Sequence, residues 1–169
     1  MTEVVESIET YALKTRVEQK KYDTFSKIGI VGCGILGQEI AKMVASHGMD
    51  VVFLEISEEK IQAAYDGMKK DLDNMINRWG MTASDKRAIM SRIKGYLDYK
   101  YLRDCDVVVE SIKSRTREDS VDLRKQIFKN LEKIVNRDTI ICTNSTTLVI
   151  TELSSELNYP DRCVSLHFI

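Results

Sequence analysis

Lys27-Ile28-Gly29-Ile30-Val31-Gly32-Cys33-Gly34-Ile35-Leu36-Gly37-Gln38-Glu39-Ile40-Ala41 is the stretch on which the fold turns. It begins as a β-branched run of strand length, Lys27–Val31, and ends in a helical pattern, with Leu36, Ile40 and Val44 beside Ala41 and Ala45 on one side. Between them Gly32, Gly34 and Gly37 spell G-x-G-x-x-G, and with Gly29 they are four of the chain's 8 glycines. The string alone is weak, but after a strand and before a helix it carries a mechanism. Gly32 serves a tight turn, Gly34 lets a pyrophosphate approach the backbone, and Gly37 lets helix and strand pack closely. The anion then meets the helix N-terminus around Ile35 and Leu36, where unpaired N–H groups and the helix dipole complement its charge.

Outward from this turn, the next strand (Asp50–Glu55) ends on an acid 23 residues after Gly32. A carboxylate there accepts hydrogen bonds from ribose hydroxyls and repels a 2′-phosphate, so Glu55 favours NAD over NADP. Further strands are expected at Asp106–Glu110, Thr139–Thr143 and Cys163–His167, alternating with helices. One helix carries Ile61, Ala64, Met68, Leu72, Met75, Ile76 and Trp79; another carries Leu123, Ile127, Phe128, Leu131 and Ile134, and both stripes read as core. Gly80 ends the first of these, and Thr82 or Ser84 caps a following helix through Arg87, Ile89 and Ile93, making an inserted helical pair. Strand-helix alternation of this kind is an α/β, doubly wound parallel sheet of the Rossmann type.

Composition bounds what else the chain can be. Its 169 residues suit one domain, and 43% hydrophobic with 8 Gly and 1 Pro excludes disordered and collagen-like chains. With 25 basic and 26 acidic residues there is no global field toward nucleic acid or an anionic membrane, so neither is an expected partner. The apolar run Ile28–Gly37 is too short to span a bilayer, and the N-terminus lacks the basic and apolar regions of a secretory signal. Cys33, Cys105, Cys142 and Cys163 are widely spaced, with no metal-ligand pattern; they read as reduced and buried, which suits the cytoplasm, and no metal is expected. Residues 1–25 are charged, with Val4, Val5, Ile8, Ala12 and Leu13 at helical spacing: an extension or linker, or a helix docking on another domain. Residues 26–169 form the folded domain.

Further motifs narrow the reading. Thr143-Asn144-Ser145-Thr146-Thr147-Leu148, then Ile150-Thr151-Glu152-Leu153, then Asp161-Arg162-Cys163-Val164-Ser165-Leu166-His167-Phe168 stand in order after Val107-Val108-Val109-Glu110. Together with the glycine turn they resemble the NAD-binding domain of the L-3-hydroxyacyl-CoA dehydrogenases, whose patterns are S-N-T-S-S-L and D-R-F-x-G-x-H-F-F-N-P. The resemblance implies an NAD-dependent oxidoreductase interconverting L-3-hydroxyacyl-CoA and 3-oxoacyl-CoA, with 3-hydroxybutyryl-CoA as one short-chain case.

By the same resemblance His167 is the catalytic histidine, and imidazole suits that work because its ordinary pKa lies near working pH. The family's active-site serine falls on Thr146, with Ser145 as a neighbouring hydroxyl. Asn144 lines the nicotinamide end or serves a turn. Glu110, Asp119 and Arg124 fall on cofactor-side positions, although about five extra residues follow Glu110 and include Arg115 and Arg117, so a solvated charged loop is the alternative reading. His47, just before Gly48, reads as a surface or capping residue. The family continues past His167-Phe168-Ile169 into a helical domain that supplies a glutamate, an asparagine and a homodimer interface. Residues 1–169 alone are therefore expected to bind NAD and turn over poorly. A dehydrogenase of another 3-hydroxy acid and a non-catalytic NAD-sensing domain are the alternatives.

Overall fold

The computed structural model describes residues 25–78, 80–113 and 117–168, of which 117–119 as backbone only. The N-terminal extension before Phe25, Trp79, Arg115 and the side chain of Asp119 lie outside that description. The chain runs β1 (Lys27–Val31), α1 (Ile35–Ser46), β2 (Asp50–Leu54), α2 (Glu58–Asn77), α3 (Ala83–Arg92), β3 (Ile93–Tyr96), β4 (Val107–Glu110), α4 (Arg117–Ile134), β5 (Ile140–Thr143), α5 (Ile150–Leu153) and β6 (Cys163–Ser165). Short 3-10 turns at Tyr99–Leu102 and Pro160–Arg162 precede β4 and β6.

All described strand pairs are parallel, in the order β3-β2-β1-β4-β5-β6. This is the doubly wound order, in which connections from β1 and from β4 depart to opposite sides and open a crevice at the strands' carboxyl ends. Both sheet faces are covered, so the strands read as near-continuous apolar runs. Ile28, Ile30 and Phe53 pack with Ile40, Ala41, Met68, Leu72 and Ile89 of α1, α2 and α3. Val31, Val52, Leu54 and Val108 pack with Phe128 and Leu131 of α4 and with Leu102.

The sequence misleads most at Ile93. Its spacing continues the stripe of α3, but α3 stops at Arg92, and Ile93, 3% exposed, pairs with Val51 as the first residue of β3. Nothing in Ile93-Lys94-Gly95-Tyr96 alternates like a strand. Its glycine is there because a Cβ would sit 2.4 Å from the Phe53 ring, and the Tyr65 hydroxyl accepts the Gly95 N–H at 2.8 Å. The inserted helical pair α2–α3 is thus the crossover that delivers the edge strand.

Smaller differences follow from packing. Gly80 N–H reaches Met75 O at 2.9 Å after α2 has ended, and Thr82 caps α3 in a reciprocal box with Asp85. Met75 is 45% exposed and Leu123 47%, so these two members of the apolar stripes lie outside the core. α4 starts at Arg117, which makes Arg117 helical rather than part of an inserted loop. β6 ends at Ser165, leaving His167 beyond the strand. His47 caps α1, its Nδ1 2.8 Å from Met43 O. No described helix is long and apolar enough to cross a membrane.

Candidate functional site

A cleft of about 840 Å³ opens over the carboxyl ends of β1, β2 and β4, where the sheet order reverses. Its floor is the glycine turn. Gly32 has φ +89, a left-handed conformation that favours glycine, and its N–H donates to Leu54 O at 3.0 Å. At Gly37 a Cβ would lie 2.4 Å from Gly32 O, so the helix touches the turn backbone to backbone. Gly34 differs from both. Its φ of −68 suits any residue, and nothing lies within 4 Å of the place a Cβ would take. Gly34 lines the cleft together with Ile35 and Leu36.

α1 starts here with no side-chain cap and no acid in its first turn. Its first N–H groups are the kind that meet an anion. Glu55 stands beside them, half-buried, with Oε1 accepting the Cys33 N–H at 2.7 Å and Oε2 the Ile56 N–H at 3.3 Å. A carboxylate offers about four lone-pair sites, so two N–H bonds fix its orientation and leave capacity for hydroxyl donors from the cleft. The residues present therefore fit a dinucleotide: a space at Gly34 for the pyrophosphate and an oriented acid for ribose. Cys33 is no nucleophile, because burial, and secondarily the Glu55 charge, pushes its thiol up to about 12.

The far end of the cleft is lined by Glu110, Ser111, Ile112, Arg124, Asn144 and Ser145. Glu110 is 0% exposed and Arg124 6%, and they form a buried ion pair, Nε to Oε2 at 2.8 Å. As cofactor contacts, their side chains are thus already engaged with protein partners. Asn144 Oδ1 accepts the Phe168 N–H at 3.3 Å, and Leu166 N–H donates to Thr143 O at 2.9 Å, so the segment carrying His167 is tied on both sides of the histidine to the end of β5 and the first residue of the loop after it. His167 and Thr146 are exposed on those neighbouring loops and lie outside the cleft wall, as does Gly37.

Several wall residues escaped the sequence reading. Lys60, in the first turn of α2, lies on the cleft with Glu55, and its signal was only its place five residues after that acid. Ile56, Leu97, Tyr99 and Leu123 add an apolar lining whose positions depend on how β3 and α4 pack, which no local pattern encodes. Among the described residues no group of three or more His, Cys, Asp or Glu could hold a metal.

Comparison with known proteins agrees with this geometry. The chain is 28% identical over 142 residues to a 3-hydroxybutyryl-CoA dehydrogenase of Clostridioides difficile, covering 84% of this chain and 49% of that protein. It is 29% identical over 141 residues to a 3-hydroxyadipyl-CoA dehydrogenase of Escherichia coli (strain K12), covering 83% of this chain and 29% of that protein. The crystal structure of (S)-3-hydroxybutyryl-CoA dehydrogenase from Ralstonia eutropha superposes with a TM-score of 0.80 at 32% identity, over 86% of this chain and 50% of that one. The chain thus spans half or less of the length of these relatives. The family model for the 3-hydroxyacyl-CoA dehydrogenase, NAD binding domain, matches residues 27–169, and the chain belongs to that family.

Proposed function

We propose that this chain is the cofactor-binding part of an NAD-dependent oxidoreductase that interconverts L-3-hydroxyacyl-CoA and 3-oxoacyl-CoA, with 3-hydroxybutyryl-CoA as the first substrate to try. The observation that carries the reading is the tie between the two ends of the site. The cleft runs from the glycine turn and Glu55 to Asn144 and Ser145, and Asn144 is bonded to the residue after His167.

NAD, when bound, supplies the hydride acceptor. The His167 imidazole accepts the proton of the substrate's 3-hydroxyl during oxidation and returns it during reduction. Hydroxyls at Thr146 and Ser145 hydrogen-bond the substrate oxygen; the branched threonine narrows the pocket and stiffens its rotamer relative to serine. Asn144 orients the loop toward the nicotinamide end, the Glu110–Arg124 pair lines the cleft, and by the family resemblance Asp119 serves the cofactor side. Glu55 selects NAD by repelling a 2′-phosphate. The acyl-CoA substrate and a homodimer built through a further helical domain are proposed by analogy with the family. The cytoplasm is proposed as the compartment, on the strength of four buried free thiols.

The test is a spectrophotometric assay of the full-length protein with acetoacetyl-CoA, first with NADH and then with NADPH. Turnover with NADH preferred is expected. No turnover with any 3-oxoacyl-CoA but activity on a free 3-oxo acid would move the substrate class, and NADH binding without turnover of either would make this a sensing domain.

A further inference from the structure

We propose that Glu110, Arg124 and Thr143 form a positioning cluster that sets the loop bearing Asn144, Ser145 and Thr146 against the cofactor cleft. The proposal rests on the reading above for the role of those hydroxyls. Its basis is one carboxylate that holds three elements at once.

Glu110 Oε1 accepts the Ile112 N–H at 2.8 Å, which fixes the loop after β4. Its Oε2 accepts Arg124 Nε at 2.8 Å from α4 and Thr143 Oγ1 at 2.7 Å from β5. The guanidinium is shared in turn, with Nη2 donating to Ile112 O at 2.7 Å and Nη1 to Ser120 Oγ. The bonds also have a fixed direction. An ionised carboxylate only accepts, so the single hydroxyl proton of Thr143 must point at Glu110. Oγ1 is then left as an acceptor, and the Ser145 N–H donates to it at 3.1 Å. Asn144 N–H donates to Glu110 O at 3.0 Å, which closes the loop's base. Charge therefore orders a line from Arg124 through Glu110 and Thr143 to the backbone of Ser145.

An ion pair this deep gives less net stability than its Coulomb attraction suggests, because both charges are stripped of water. What it gives here is geometry. Four directional bonds converge on two short loops that local sequence would not otherwise fix.

Thr143 is the clean probe, since its hydroxyl joins Glu110 to Ser145 without touching the loop after β4. In the full-length protein, Thr143→Val removes the hydroxyl at nearly constant shape, Thr143→Ser restores it, and Thr143→Ala guards against misfolding of the valine variant. The readouts are NADH affinity, kcat and KM for acetoacetyl-CoA, and amide hydrogen exchange at Ser145. Expected for Val and Ala are NADH affinity within about twofold, kcat lowered about 10- to 100-fold as for a small misplacement of reacting groups, and faster exchange at Ser145. Ser should recover both kcat and protection. Wild-type kcat and exchange in Thr143→Val would overturn the proposal, as would equal losses in Ser and Val, or loss of NADH affinity matching that of kcat. If the wild type turns over no 3-oxoacyl-CoA, the functional reading fails, while the Ser145 exchange pattern still decides the cluster.

Discussion

Gly34 and Gly37 stand three residues apart in one motif, yet the structure demands opposite outcomes when each is changed to alanine. At Gly37 the new Cβ falls 2.4 Å from Gly32 O, inside the 3.0 Å that real Cβ atoms keep, and makes a tight 3.3 Å contact with Ser111 Oγ. The turn must move or α1 must lift from β1, an overpacking that costs about 1–3 kcal/mol. For a domain of this size that is a fall in Tm of about 2–4 °C per kcal/mol. At Gly34 the backbone already suits alanine and the Cβ meets no protein atom. Reduced freedom in the unfolded chain should leave stability unchanged or raise it by about 0.4–1 kcal/mol. The cost appears on binding. On the proposed reading the methyl takes space through which a pyrophosphate would reach the N–H groups of α1, and a hydrogen bond to a charged group is worth about 1.5–3 kcal/mol. Losing one such bond weakens NADH by at least about tenfold. Thermal unfolding and calorimetric titration of both variants separate the cases. Gly34→Ala binding NADH like the wild type, or unfolding at the temperature of Gly37→Ala, would refute the division of labour.

His167→Ala should lower kcat for 3-oxoacyl-CoA reduction about 10²- to 10⁴-fold, the range for a general acid–base group, with NADH affinity unchanged in parallel titrations. Burial pushes the thiols of Cys33, Cys105 and Cys142 up to about 12 and that of Cys163 to about 11, so a thiol-disulfide reagent at pH 8 should label the native protein only at the rate of unfolding. For Asp106, burial works to raise the carboxyl, but hydrogen bonds from Ser26 and Lys27 outweigh it and hold the group below its ordinary 3.8. A depressed folded pKa stabilises above the unfolded value and is lost as pH falls through the folded one. The stability gap between wild type and Asp106→Asn, measured by denaturant unfolding, should therefore be full at pH 6 and close below pH 3.8.

What could be read from the residues is what backbone geometry imposes. The strand-turn-helix of Lys27 to Ala41, the acid just after β2 and the parallel alternation all follow from period, glycine placement and burial. The edge strand β3 could not be read, because its four residues contain one glycine and one lysine, and its existence rests on the Phe53 and Tyr65 side chains that receive it. Nor could the pairing of Arg124. Resemblance placed it among cofactor contacts, and only the approach of α4 to β4 shows its guanidinium turned inward onto Glu110. Leu123 failed for a related reason: it sits on the apolar stripe of α4, but where that helix passes the cleft the stripe becomes wall rather than core.

The glycine turn and the buried carboxylate are mechanically one unit. Ser111 N–H donates to Val31 O at 2.9 Å and its hydroxyl to Gly32 O at 3.2 Å, while Ile112 packs so closely on Gly32 that a Cβ there would lie 2.9 Å from its side chain. The same Ile112 gives its N–H to Glu110 and its carbonyl to Arg124. A shift of the glycine turn must therefore press on the loop after β4, and through Glu110 on Thr143 and the loop after β5. Parallel strands by themselves leave their carboxyl-end loops independent of one another. In this chain the reversal of strand order opens a crevice, and a single carboxylate beneath it couples the glycine turn to the loop bonded to the segment that carries His167.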